Sequence, residues 1–154
     1  MQSPAIRLDR RALASLFIGL AVAGPSLAAQ PEVHAADGLA LRGYDAVAYF
    51  TAGAPRRGDA RFETEWRGAR WRFASAANRD LFLAAPDRYA PRYGGHCAWA
   101  MAQGYTAPGD PLQWRIVEDR LYVNYDAAVQ RRWVRDIPGF IAAADRNWPG
   151  VLAR

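Results

Sequence analysis

The stretch Phe62-Glu63-Thr64-Glu65-Trp66-Arg67-Gly68-Ala69-Arg70-Trp71-Arg72-Phe73 decides the fold class. Phe62, Thr64 and Trp66 alternate with Arg61, Glu63 and Glu65, and past Arg67-Gly68 the residues Trp71 and Phe73 alternate with Arg70 and Arg72. A period of two is that of a half-buried strand. Folding about a two-residue turn at Arg67-Gly68 sets Glu65 opposite Arg70, Glu63 opposite Arg72 and Phe62 opposite Phe73. Opposite charges then pair on one face and aromatics on the other, each pair contributing about 0.2–1 kcal/mol. The segment reads as a β-hairpin whose aromatic face points inward.

Upstream, residues 39–50 (LALRGYDAVAYF) end in an apolar, strand-like run over 46–50, and residues 51–59 read as a loop. Downstream, Ser75 is a good N-cap for a helix through residue 85 with Ala77, Leu81, Ala84 and Ala85 on one stripe, ended by Pro86. Residues 86–89 form one further turn. Tyr93-Gly94-Gly95 breaks the chain before a short helix over 96–103, stopped by Gly104. Residues 113–117 and 121–123 form a second hairpin around Glu118-Asp119-Arg120, and helices follow at 127–133 and 138–147. This order is neither all-helical nor a βαβ series. It predicts a small single α+β domain with two β-hairpins and several short helices.

The first 28 residues read as a targeting segment. Arg7, Arg10 and Arg11 precede an uncharged run, residues 12–24, that is too short to span a bilayer, and Ser26-Leu27-Ala28 offers small residues for cleavage. The expected organisation is a signal peptide over 1–28, a flexible leader over 29–38 and a domain over 39–150, with a periplasmic or secreted location. Arg10-Arg11 leaves the general and twin-arginine routes open. No second segment approaches membrane-spanning length. The net charge of +5 falls by two on losing three Arg and one Asp with that segment, and every basic residue is Arg. Those Arg alternate with Asp and Glu, which argues against nucleic acid as a partner. Cys97 is the single cysteine, so no internal disulfide forms, and stability must come from a core to which six Trp are available.

Several segments together resemble the YHS domain family: Gly43-Tyr44-Asp45-Ala46-Val47-Ala48-Tyr49-Phe50, the hairpin Trp66–Phe73 with Ala74-Ser75, Asn78-Arg79-Asp80-Leu81-Phe82, residues 86–89, and Tyr93-Gly94-Gly95-His96-Cys97-Ala98. Asp110-Pro111-Leu112-Gln113-Trp114 and Ala144-Asp145-Arg146-Asn147-Trp148-Pro149 are similar to the exported, stand-alone branch. The resemblance implies the fold over residues 39–150 and a link to copper and other soft metals. The ligand positions it implies fall at about Ala48, Ala74 and Asn78, none of which is the Cys that such metals demand.

What remains is His96-Cys97-Ala98-Trp99-Ala100-Met101. On a helix over 96–103, Cys97 and Met101 share a face with His96 beside them, a soft donor set suited to Cu(I). The plainer alternative makes Cys97 and Met101 core residues and His96 a helix-start residue. A redox reading uses the same thiol, its thiolate favoured by the helix dipole and a protonated His96, with an external thiol as partner. Asp45 and Asp110 are paired-carboxylate candidates with capping as their alternative role. His34 is expected to be solvated, and one or two Trp could line a cleft. The functional expectation is an accessory module binding a small ligand, a soft metal or a partner protein, rather than an enzyme. The alternatives are a thiol-dependent redox protein and a purely structural interaction module.

Overall fold

A computed structural model describes residues 29–154. The targeting segment expected over 1–28 lies outside the described residues. The fold is α+β, with two hairpins and short helices, as the sequence pattern predicts. In chain order it runs β1 (Ala35–Ala36), β2 (Leu39–Ala40), α1 (Ala48–Thr51), β3 (Asp59–Trp66), β4 (Ala69–Phe73), α2 (Ala76–Ala84), α3 (Pro86–Tyr89), α4 (Ala98–Ala102), β5 (Asp110–Val117), β6 (Arg120–Asn124), α5 (Ala127–Trp133) and α6 (Ile137–Asn147). One sheet has the order β1-β2-β4-β3, and β5-β6 forms a separate hairpin.

The first hairpin has the expected register through its charged pairs. Glu63 faces Arg72 and Glu65 faces Arg70, and Arg72 Nε donates to Glu63 at 2.7 Å. Arg67 and Gly68 adopt positive φ of 48° and 74°, the two-residue turn that matches strand twist. The register fails at the strand's start. A bulge between Asp59 and Glu63 sets Asp59, not Phe62, opposite Phe73. Trp71 and Phe73 are buried, while Phe62 and Trp66 are half-buried.

Three other expectations change. Residues 46–50 do not form a strand, because Asp45 Oδ1 accepts from Val47 N and Ala48 N and turns the chain into α1. The stripe on α2 is also different. Ser75 caps it as expected, but Ala77, Leu81 and Ala84 are exposed and Phe82 is the buried anchor. The segment 29–38 is built into the fold rather than extending from it: Val33 is buried, Gln30 N donates to Leu152 O at 2.8 Å and His34 N donates to Gly94 O at 2.9 Å. A Cβ on Gly94 (φ 61°) would lie 1.7 Å from Glu32 O, so only glycine permits this approach.

The two halves of the chain repeat one unit. Leu41-Arg42-Gly43 and Tyr93-Gly94-Gly95 are each three successive residues at positive φ. Each leads into a short helix, α1 or α4, after which the bridge Tyr44↔Arg57 is matched by His96↔Pro108. Asp45 N donates to Arg56 O and Cys97 N to Ala107 O, both at 2.8 Å. Both hairpins carry the same bulge: Asp59↔Phe73 then Glu63↔Arg72 in one, Asp110↔Asn124 then Trp114↔Val123 in the other. Both turn on two residues at positive φ, so the second turn is Glu118-Asp119 rather than the three residues expected. Ser75 and Asp126 then cap the following helices, and Phe82 and Trp133, seven residues on, are fully buried at equivalent places.

The core has two clusters, and the second hairpin contributes Leu121 and Val123 to the first of them. Trp71, Phe73, Phe82 and Tyr49 centre one cluster, and Tyr93, Met101, Tyr122 and Trp133 centre the other.

Candidate functional site

Cys97 lies where the second unit enters α4. The expected helix over 96–103 is shorter than the pattern suggests, and Cys97 is its N-cap, with φ −56° and ψ 120°, rather than a residue on its face. The Sγ accepts from Ala100 N at 3.4 Å and donates to Asn124 Oδ1 at 3.5 Å. Asn124 Oδ1 also accepts from Trp99 N at 2.9 Å, and its amide nitrogen donates to Gln130 Oε1 at 2.6 Å. The sulfur is thus held by its own helix and by β6, with α5 supporting Asn124 from behind.

The thiol forms part of the wall of a cavity of about 210 Å³ lined by Cys97, Trp99, Ala100, Tyr105, Ala107, Tyr125 and Val129. Cys97 is only 1% exposed, whereas Tyr105 and Tyr125 are 48% and 50% exposed. The lining is aromatic and aliphatic apart from the sulfur and the tyrosine hydroxyls.

The soft-metal set does not converge. His96 Nε2 lies 3.0 Å from Pro31 O, and its ring packs on His34 and Trp148. Met101 is fully buried in the cluster of Tyr122 and Trp133. Each of the three takes different partners, and among the described residues no group of three His, Cys, Asp or Glu could hold a metal ion. The electrostatics expected for a thiolate are reversed too. Burial pushes the Cys97 thiol above its ordinary value, against the opposing pull of the Ala100, Tyr125 and Trp99 N–H groups. Burial lowers the pKa of His96, so it is no resident cation beside the thiol. His34 is half-buried rather than solvated, and burial, His96 and Arg42 lower its pKa in that order.

The first unit holds Asp45 where the second holds Cys97. Asp45 is fully buried, and beyond its two α1 contacts its Oδ2 accepts from Ala74 N at 2.8 Å and Asn78 Nδ2 at 2.7 Å. It is a cap, and it makes no pair with Asp110, which accepts from Leu112 N and lies 3.9 Å from Arg42. Ala48, Ala74 and Asn78, the ligand positions implied by the family resemblance, do meet around this carboxylate. They present N–H donors to it, the wrong polarity for a cation, and no thiolate, so these residues do not fit a soft-metal centre.

A smaller hollow of about 70 Å³ is lined by Glu32, Arg67, Asp87 and Arg92 among others, but Arg67 is paired to both Glu32 and Asp87, and Arg92 to Asp145. Its charged groups are already paired, although Arg92 Nε is buried without a hydrogen-bond partner. Of the cavity residues, Cys97 and Trp99 are visible in the sequence as candidates, while Tyr105, Tyr125, Val129 and the supporting Asn124 are not. Their only signal is the repeat itself, which places residues 125 and 129 where Ala74 and Asn78 surround Asp45. No helix among the described residues is long and apolar enough to cross a membrane. No family model, curated protein or solved structure matches the chain.

Proposed function

We propose that this chain is an exported, YHS-like accessory module that binds a small, mainly apolar ligand in the cavity beside Cys97. One observation carries the reading: an aromatic cavity of about 210 Å³ opens between two half-exposed tyrosines with a buried sulfur in its wall. A concave, largely apolar site with a few convergent polar atoms is how small-molecule sites are built. Nothing in the cavity supplies a base for the thiol, so binding is favoured over catalysis. Export is supported by the Arg-flanked apolar run ahead of Ser26-Leu27-Ala28.

The test is native mass spectrometry of the protein recovered from the periplasm of a bacterial host, with the N-terminus read from the same sample. The expected result is a mature chain starting at or near Ala29 that carries bound mass, and that mass is lost in Tyr105→Ala/Tyr125→Ala. A chain retaining Met1 in the cytosol defeats the export half. Bound mass unchanged in the double variant defeats the cavity half. The thiol-dependent redox reading has one observation in its favour, the position of Sγ in that wall. It predicts a mixed disulfide or sulfenate mass on Cys97 in the same spectrum.

A further inference from the structure

The cavity beside Cys97 lies where, in the first unit, the Asn78 amide reaches across to the buried carboxylate. Its lining residues Cys97, Trp99, Ala100, Tyr125 and Val129 correspond, through the shared turns, bulges and caps, to Asp45, Val47, Ala48, Ala74 and Asn78. In the first unit these residues are joined in one closed cluster. Asp45 accepts from Val47 N, Ala48 N and Ala74 N, and from the Asn78 amide at 2.7 Å. In the second unit the carboxylate is a thiol and the amide is Val129. The amide that supports the thiol comes instead from β6, as Asn124, where the first unit has Phe73. The polar side chain has moved from the helix side to the strand side, and α5 presents only the apolar Val129 to the cavity.

We infer that Val129 determines the specificity of this site. The absence of an Asn78-like amide at position 129 keeps the second unit open, and the apolar side chain there restricts its occupant to small aromatic or aliphatic molecules. The inference rests on the cavity being a ligand site, as proposed above. It assigns the choice of ligand to a residue that makes no side-chain hydrogen bond.

Two readouts separate the inference from the reading beneath it. The first is titration of the purified protein with indole, followed by amide NMR shifts at Trp99, Ala100, Tyr125 and position 129. The second is the rate at which iodoacetamide labels Cys97 in the folded protein, which needs no ligand. Val129→Asn is expected to weaken indole binding at least tenfold and slow labelling by a similar factor, with a native amide spectrum. Val129→Ala is expected to speed labelling severalfold, and it keeps the test decisive if Val129→Asn fails to fold. Folded Val129→Asn that labels and binds as the parent does would overturn the inference while leaving the site itself intact. If the parent shows no indole shifts at these residues, the ligand reading falls, and the labelling rates still decide whether position 129 controls access.

Discussion

Two copies of one backbone unit stand side by side in this chain, and they close their interiors by different means. In the first, a buried carboxylate gathers the N–H groups of two helices and a strand end into one hydrogen-bonded cluster. In the second, a thiol takes the same place, holds Ala100 N at the longer sulfur distance of 3.4 Å, and leaves a cavity beside it. The backbone tolerates both solutions because the positive-φ turn, the bulged hairpin and the helix cap fix its path. Given equal scaffolds, side-chain chemistry at two positions decides whether a unit closes on a hydrogen-bonded carboxylate or leaves a cavity beside a thiol.

The largest effect should come from removing the group that each unit uses. Asp45→Ala strands the buried Val47 and Ala48 N–H groups together with the part-buried Ala74 N–H and Asn78 amide, and is expected to cost about 3–5 kcal/mol. Cys97→Ala removes a weaker acceptor, which Ala100 N reaches only at 3.4 Å and which the Tyr125 and Trp99 N–H groups also face, and is expected to cost about 1–2 kcal/mol. Urea denaturation of the two variants, compared at a common slope, measures the difference. Equal losses would break the comparison, because they would mean that both cradles hold their occupant equally tightly.

A smaller asymmetry lies one residue earlier. The first unit has Tyr44 under the Arg57 guanidinium, whereas the second has His96 facing His34, Trp148 and the Pro31 carbonyl. Arg42 adds a further positive charge near His34. Both histidines have folded pKa values below the unfolded value of about 6.5. The unfolded chain therefore binds more protons below that pH, so the stability they contribute is full above about 6.5 and is lost as the pH falls through the folded values. The expected outcome is a urea midpoint that declines from pH 7 towards pH 5 in the parent and declines less in His34→Gln/His96→Gln. An unchanged decline in the double variant would place the acid sensitivity elsewhere, on carboxylates shared by both units.

Much of the first unit is legible in its residues. Glu63, Glu65, Arg70 and Arg72 fix the register through charge, and two-residue turn chemistry at Arg67-Gly68 does the rest. The bulge before Glu63 is not legible, since Phe62 and Thr64 continue the alternation across it. On α2 the alanines make every face weakly apolar, and periodicity then selects Leu81 where packing selects Phe82. Around Cys97, spacing suggests a helical face with Met101, because nothing in the local sequence tells a helix's first residue from its cap. The repeat leaves faint marks: Gly43-x-x-Ala-x-Ala against Gly95-x-x-Ala-x-Ala, and Gly58-Asp59 against Gly109-Asp110. What the halves share is backbone path, which small residues and turns carry and which larger side chains obscure.

The finest test of the comparison is the acidity of the Cys97 thiol. Two influences oppose each other at the sulfur. The N–H groups of Ala100, Tyr125 and Trp99 favour an anion there. Burial disfavours it, and is the larger of the two. A soft thiolate also accepts hydrogen bonds at longer distances than a carboxylate oxygen, so the same cradle stabilises it less. The expected result is that alkylation of the folded protein accelerates only above the ordinary thiol pKa of about 8.5, whereas the urea-unfolded chain titrates near that value. Rates measured against pH in both states, with the same reagent, give the displacement directly. If the folded protein titrates below the unfolded chain, the donors outweigh burial, Cys97 behaves as the anion its position favours, and the thiol-dependent alternative displaces simple binding as the better account of the second unit.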